Sequence, residues 1–221
     1  ANRDVLVDKF GQMAAAQFPE KVTSAGQLAA DAAADAAYYE SLKPPEDRDR
    51  YGGLAGSAAK YGLRAQGYFA VQPMGERTAL TTPEGNLYFS LAVNGITANE
   101  TFMKVKGREA LLEALPLYQG RYTPAFIGSD HFSFYLANKF AKTGAIPTEH
   151  SLYSEALTRL RKWAFNGVGG FSPEKYGEEG RFPYVRMLPL DSMDWAKTEG
   201  ISLFDIFAPD AEAKLALAFR K

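Results

Sequence analysis

The sequence contains no cysteine and only two histidines, and these absences limit the sites that it can build. Without cysteine the 221-residue chain forms neither disulfides nor thiolate metal sites. His131 and His150 lie far apart with no carboxylate at ligand spacing, so the pattern predicts no metal site. The GVGGF stretch at 167–171 lacks the lysine and the serine or threonine of a phosphate loop. We therefore expect a protein without a metal or other cofactor.

The sequence also lacks a large excess of positive or negative charge, and it lacks long apolar runs. The formal net charge is −1, which provides no basic field for nucleic acid or an anionic membrane surface. No apolar run reaches the ~18 residues of a membrane-spanning helix. The hydrophobic share of 46% and the charged share of 23% are typical of one or two soluble globular domains. Because the first residue is Ala1, we expect that an upstream segment was removed.

The first 66 residues predict a helical arm that packs on the rest of the chain. The alanine-rich stretch 23–45 begins with the helix-capping residues Thr23 and Ser24 and ends at Pro44-Pro45. Its thin apolar stripe suits packing on a surface. A charged, glycine-rich connector follows at 44–57.

From Gly67 onward the pattern changes to strands. Two turn signals, at Met74-Gly75 and at 83–86, predict a β-hairpin over 68–89. This hairpin leads into the stretch NLYFSLAVNGI at 86–96, which has apolar side chains on both faces of an extended chain. We interpret residues 87–93 as a strand that is buried on both sides, as in a parallel sheet.

The second half alternates helices and strands. A short helix is expected at 107–118 and a longer one at 131–144, closed by Gly144. The remaining segments are a helix from Ser151 to Asn166-Gly167, a strand at 168–171, a helical turn after Ser172, a strand at 181–190 and a helix at 209–221. Such alternation predicts an α/β fold with 87–93, 168–171 and 182–188 as parallel neighbours.

A series of recognisable stretches runs in order along almost the whole length of the chain. They are VDKFGQ and FPEKVTS (7–24), DRDRYGG (47–53), LRAQGYF (63–69), TTPEGNLYFSLAVNGI (81–96), HFSFYLANKFAKTG (131–144), TRLRKWAFNGVGGF (158–171), RFPYVRMLPL (181–190) and FDIFAPDAEAKL (204–215). In these stretches the chain resembles the β-agarase family of glycoside hydrolases. Two positions depart from the family pattern. Asn94 stands where an acidic or amide residue is usual, so hydrogen bonding is kept but no acid or base is present. Gly170-Phe171 replace an Asn-Trp pair, which keeps an aromatic ring but not the amide.

The resemblance implies a secreted or periplasmic enzyme with a (β/α)8 barrel that hydrolyses a galactan such as agarose with retention of configuration. Residues 1–66 would form the arm and connector, and residues 67–221 the hairpin and the first βα units. A (β/α)8 barrel needs about 250 residues and eight strands, so the barrel is expected to be incomplete here. The resemblance places both catalytic glutamates beyond Lys221. We therefore assign no catalytic residue, and expect a companion polypeptide or a continuation to pack against 182–188 and 209–221.

Four residues are candidates for contacts with the sugar. Asn94 follows the first parallel strand, where ligands meet such sheets, or is an ordinary Asn-Gly turn residue. Phe171 is either a stacking platform or part of the core. Tyr184 and Arg186 alternate with apolar neighbours, and Arg186 needs a polar lumen or a carboxylate partner. The alternative function is a shortened, non-catalytic relative that binds saccharide or a partner protein.

Overall fold

The computed structural model describes residues 5–177, 182–190 and 204–220, which form a mixed α/β structure. The described helices are α1 (Ala25–Ser41), α2 (Ser57–Tyr61), α3 (Phe134–Thr143), α4 (Glu149–Lys162), α5 (Glu174–Tyr176) and α6 (Ala211–Arg220). The described strands are β1 (Ala70–Met74), β2 (Arg77–Thr81), β3 (Ala92–Val93), β4 (Met103–Lys104), β5 (Phe126–Ile127), β6 (His131–Phe132) and β7 (Gly167–Val168).

Helix α1 begins as the sequence predicts and lies against α3. The Ser24 side chain accepts a hydrogen bond from the Gln27 backbone N–H, which satisfies one of the free donors of the first turn. Leu28 is the buried residue of the helix, and an ion pair of 3.1 Å joins Asp35 to Lys142 of α3. The thin apolar stripe thus packs on a surface. The short helix α2 was not anticipated. It begins at Ser57, the last residue of the predicted connector, and ends at Tyr61.

The predicted hairpin is confirmed as β1 and β2. The two strands pair antiparallel from Ala70 opposite Thr81 to Met74 opposite Arg77, around a turn at Gly75. Gly75 has a φ of 61°, a left-handed conformation that glycine adopts without steric cost.

A three-stranded antiparallel sheet in the middle of the chain was missed by the sequence analysis. Strand β6 lies between β4 and β5, and these strands and α3 surround the first hydrophobic core. The buried members of this core are Val105, Leu112, Ala125, Phe126, Phe132, Phe134, Leu136 and Leu152.

The predicted helix at 107–118 is wrong, because only a single 3₁₀ turn forms at Glu109–Leu111. The helix predicted from His131 begins after Ser133, whose side chain caps it, and ends at Gly144 as expected.

The parallel strands lie on the second core. β3 pairs with β7 in parallel, and Val168 of β7 forms a parallel bridge with Tyr184. The predicted parallel order of these three segments is therefore observed, although each segment is shorter than expected. Helix α4 covers the group with Tyr153, Leu157 and Leu160. Its cap is Thr148 rather than Ser151, and it ends at Trp163, before the predicted Asn166-Gly167 stop.

The expectation of a long strand at 87–93, buried on both sides, is wrong for the described chain. Phe89 is 83% exposed and Leu91 is also exposed. The Leu91 N–H donates to the side-chain Oδ1 of Asn166, and the Leu91 carbonyl accepts from the Asn166 backbone N–H. Regular strand pairing therefore starts only at Ala92. Residues 169–171 and most of 182–190 likewise lie outside regular strands. In α6, Leu215, Leu217 and Phe219 are exposed, whereas Ala211 and Ala218 are buried.

Candidate functional site

The chain segments that leave β3 and β7 stay hydrogen-bonded beyond the ends of the strands. The Gly169 N–H donates to the Val93 carbonyl at 2.8 Å, and the Gly95 N–H donates to the Gly170 carbonyl at 3.0 Å. One residue later the Ile96 N–H donates to the Ser172 Oγ at 3.1 Å. These bonds hold the two loops side by side at the carboxyl edge of the parallel pair, where ligands meet sheets of this kind.

Asn94 lies at this edge with its side chain against Gly169. A Cβ at position 169 would lie 1.7 Å from Asn94 Oδ1, so only glycine leaves room for the amide. Asn94 is exposed, and its side chain makes no hydrogen bond to the described residues. A side-chain amide offers two donors and an acceptor, so Asn94 can hydrogen-bond a ligand but cannot act as an acid or base.

Phe171 lies in the adjacent loop and is 74% exposed. Its φ of 63° is in the left-handed region, which is uncommon for a residue that is not glycine. The alternative of a core phenylalanine is excluded by this exposure. An exposed ring held in a strained loop can offer a flat apolar face to a ligand.

Tyr184 and Arg186 occupy different surroundings. Tyr184 is half-buried and packs against the second core, where its ring fills the space beside Gly177. Arg186 meets a carboxylate, since its Nε lies 3.4 Å from the Glu174 Oε2, and its side chain is 61% exposed. The structure thus brings Asn94 and Phe171 into hydrogen-bonded neighbouring loops, pairs Arg186 with Glu174, and packs the half-buried Tyr184 against the second core.

A cavity of about 210 Å³ lies between the hairpin and the parallel segments. Its walls include Phe69, Tyr88, Ser90, Tyr184 and Val185, and none of the described residues that line it carries a carboxylate. Burial raises the pKa of the Tyr88 hydroxyl, which donates to the Asn166 carbonyl at 3.0 Å. The cavity can hold an apolar surface, but its lining supplies no carboxyl group for proton transfer.

Asn166 is an organising residue that the sequence analysis interpreted only as a helix stop. Its Nδ2 donates to the carbonyls of Gly52 and Phe89, at 3.1 and 2.8 Å, and its Oδ1 accepts from the Leu91 N–H at 2.8 Å. One amide therefore joins the connector, the segment before β3 and the start of β7. An Asn-Gly pair signals a turn in any sequence, and nothing in the pattern distinguishes this role.

Asp49 holds the connector against the hairpin, a contact that was also missed. Its carboxylate accepts from the Thr82 Oγ1 at 2.7 Å, the Asn86 Nδ2 at 3.0 Å and the backbone N–H groups of Tyr51 and Gly53 at 2.9 Å. Burial by itself raises the pKa of Asp49, but these hydrogen bonds outweigh it and hold the pKa below its usual value.

Residues 5–177, 182–190 and 204–220 contain no group of three or more histidine, aspartate or glutamate side chains that could hold a metal ion. Within the same part of the chain, no helix combines the length and apolarity needed to cross a membrane.

Comparison with known proteins identifies relatives of this fold. No known family profile matches the chain. β-Agarase B of Vibrio sp. (strain JT0107) is 23% identical in an alignment of 210 residues, and the match covers 81% of this chain and 22% of that protein.

Solved structures match over most of the chain. An agarase, AgWH50C, superposes with a TM-score of 0.71 at 21% identity, over 98% of this chain and 35% of its own. PfGH50B gives 0.70 at 24% identity, over 96% and 34% of the two chains. An exo-β-agarase gives 0.67 at 24% identity, over 81% and 30%. The chain therefore spans about a fifth to a third of the proteins that it matches.

These likenesses agree in sequence and in fold with the motifs found along the chain. The family resemblance is confirmed: the chain is β-agarase-like and corresponds to a part of such a protein.

Proposed function

We propose that this chain is part of a glycoside hydrolase that cleaves the β-glycosidic bonds of a galactan such as agarose with retention of configuration. The observation that carries the proposal is the fold, which follows an agarase along 98% of the chain with a TM-score of 0.71. In this proposal β3, β7 and the segment around Tyr184 are the first three strands of a (β/α)8 barrel, preceded by the arm at 1–66.

The carboxyl edge would form one wall of the sugar cleft. Asn94 would hydrogen-bond a sugar hydroxyl, which its unpartnered amide and its position at the end of β3 support. Phe171 would stack on a sugar ring, which its exposure supports. Tyr184 and Arg186 would shape the same wall, Arg186 through its pairing with Glu174.

The acid and the nucleophile would come from outside this chain. Retaining hydrolysis needs two carboxyl groups about 5–5.5 Å apart. A companion polypeptide or a continuation would supply them, packing against 182–188 and α6, and its apolar surface would cover Leu215, Leu217 and Phe219. The complete enzyme would be secreted or periplasmic, where it meets its polysaccharide.

Hydrolysis of agarose by the protein as its gene encodes it tests the proposal. We expect reducing ends to appear from agarose, and proton NMR of the first products to show the β anomer before mutarotation. The 221-residue chain alone should release none, because in this proposal both catalytic carboxyl groups lie outside it.

The alternative is a non-catalytic relative that binds saccharide or a partner protein. It is favoured by the two exposed side chains described above at the carboxyl edge, Asn94 and Phe171, neither of which can act as an acid or base. Saturable agarose binding by the gene product without any hydrolysis would select this alternative and contradict the leading proposal.

A further inference from the structure

A second cavity, of about 230 Å³, lies at the opposite end of the parallel segments. Asn166 precedes β7 and Pro183 precedes the Tyr184 bridge, and both line this cavity, so it opens at the amino ends of the parallel segments. The connector closes it from the other side with Pro44, Pro45 and Arg48. It is therefore separate from the edge that carries Asn94.

Three arginines, Arg48, Arg50 and Arg161, and a single acidic residue, Asp49, line the cavity. Outside the lining, the carboxylates of Asp47 and Glu84 lie 3.7 Å from Arg48 and 2.9 Å from Arg50. Both Asp49 oxygens are occupied by the internal donors described above. This carboxylate therefore has little remaining capacity to bond the arginines around the cavity.

Two of the arginines retain unused donors. Arg48 Nη1 lies 3.7 Å from Asp47 Oδ2, which is beyond hydrogen-bonding distance. Arg50 uses its Nε, 2.9 Å from Glu84 Oε1, and neither guanidinium makes another hydrogen bond within the described part of the chain. A guanidinium has five N–H donors in a fixed plane, so most of those on Arg48 and Arg50 remain available.

Two of the three arginines lie over aromatic rings. The Arg50 guanidinium carbon lies 4.7 Å from the centre of the Tyr51 ring, and that of Arg161 lies 4.9 Å from the centre of the buried Phe182 ring. A guanidinium over a ring keeps N–H donors at its edge for other partners. Planar forks of this kind match the paired oxygens of sulfate, phosphate and carboxylate groups.

We propose that this cavity is an oxyanion-binding site, and that its ligand is the sulfate ester of an anionic saccharide. Arg48 and Arg50 would bind the oxyanion, and Tyr51 and Phe165 in the lining would contact the attached sugar ring. The cavity and the free donors of Arg48 and Arg50 support the oxyanion site by themselves, whereas the choice of a sugar sulfate as the ligand rests on the proposed function.

Isothermal titration of the protein as its gene encodes it tests the site with three probes: galactose 6-sulfate, inorganic sulfate and galactose. We expect saturable binding of galactose 6-sulfate at low salt, no binding of galactose, and weaker binding of inorganic sulfate. Equal affinity for both anions would assign the site to a free oxyanion and overturn the saccharide as its source. Binding should weaken between about 0.01 M and about 1 M salt, as the Debye length falls from about 30 Å to about 3 Å.

Variants locate the binding. Arg48→Gln and Arg50→Gln should each lower the affinity about tenfold or more, since each removes charge-assisted hydrogen bonds. Arg77→Gln is the matched control, because Arg77 is an exposed residue of β2 that does not line the cavity. The proposal is overturned if neither anion binds, or if the three variants bind equally. Because agarose hydrolysis is measured separately, a failure here leaves the proposed function standing. A failure of hydrolysis leaves the oxyanion site standing but removes the reason for choosing a sugar sulfate.

Discussion

The Asn94 side chain packs on the bare Cα of Gly169, across the two loops that leave β3 and β7. A Cβ at position 169 would meet Asn94 Oδ1 at 1.7 Å, but would stay 3.4 Å from the Asn94 Cα. A substitution there thus displaces the amide and leaves the backbone of β3 in place. This contact fixes the direction of the one polar side chain that we assign to the sugar at the end of β3.

Gly169→Ala should weaken the binding of agarose oligosaccharides while lowering the free energy of unfolding by less than about 1 kcal/mol, because Asn94 is exposed and can rotate away. Gly170→Ala is the control: its Cβ would lie 2.8 Å from Met187 Sδ, at the flexible end of an exposed side chain that can move. Calorimetric titration and urea unfolding measure the two effects. Equal affinities of the two variants would show that the position of Asn94 does not matter for binding.

Gly52→Ala should destabilise the protein more than Gly56→Ala. Both glycines have left-handed backbones, with φ of 83° and 78°, so alanine costs about 1–2 kcal/mol at either position. At 52 the new Cβ would also lie 2.4 Å from the Cβ of Asn166, whereas at 56 it meets open space. We expect about 1–3 kcal/mol of additional destabilisation for Gly52→Ala, measured by urea unfolding. Equal costs would mean that the connector does not dock on Asn166.

The stability that Asp49 provides should depend on pH. Its hydrogen bonds hold the folded-state pKa below the unfolded value of about 3.9, so the carboxylate stabilises the fold above that pH, and this contribution is lost as the pH falls through the folded-state pKa. The gap in unfolding free energy between wild type and Asp49→Asn should therefore be widest near neutral pH and narrow in acid. Asp47→Asn, at an exposed neighbour, serves as the control. A gap that stays constant from neutral pH into strong acid would contradict this explanation.

The 221 residues alone should not behave as a self-sufficient domain. The exposed Leu215, Leu217 and Phe219, and the largely unpaired segment 182–188, leave apolar surface and backbone groups that a companion or continuation would cover. We expect the isolated chain to aggregate or bind a hydrophobic dye, and to show no glycosidase activity at any pH. Sedimentation of a monomeric 24.2 kDa species that melts cooperatively would overturn this expectation.

The sequence was informative where local chemistry decides the structure. Ser24 marks the start of α1 because its side chain caps the first turn, and Gly144 marks the end of α3 because it adopts a left-handed conformation. Both effects depend only on residues within one helical turn. The turn at Gly75 and the parallel order of β3, β7 and the Tyr184 segment follow from turn signals and from the alternation of elements.

Long-range pairing explains the errors. Strands β4, β5 and β6 are two residues each, too short to show a period in the sequence. Asn94 and Phe171 could be proposed from their positions after strands. The roles of Asn166 and Asp49 instead depend on partners 33 to 114 residues away in the chain, namely Gly52, Phe89, Thr82 and Asn86. Such contacts are set by tertiary structure, which no local pattern records.

Calorimetric titration of an agarose oligosaccharide into the wild-type protein, Asn94→Ala and Asn99→Ala tests the central claim most directly. Asn99 is an exposed asparagine in the chain segment that follows Asn94, so its replacement controls for the loss of a side-chain amide. If the carboxyl edge is a wall of the sugar cleft, Asn94→Ala should weaken binding by about 1 kcal/mol, the value of one neutral hydrogen bond, and Asn99→Ala should bind as wild type does. Unchanged affinity of Asn94→Ala would contradict the account and make Asn94 an ordinary turn residue.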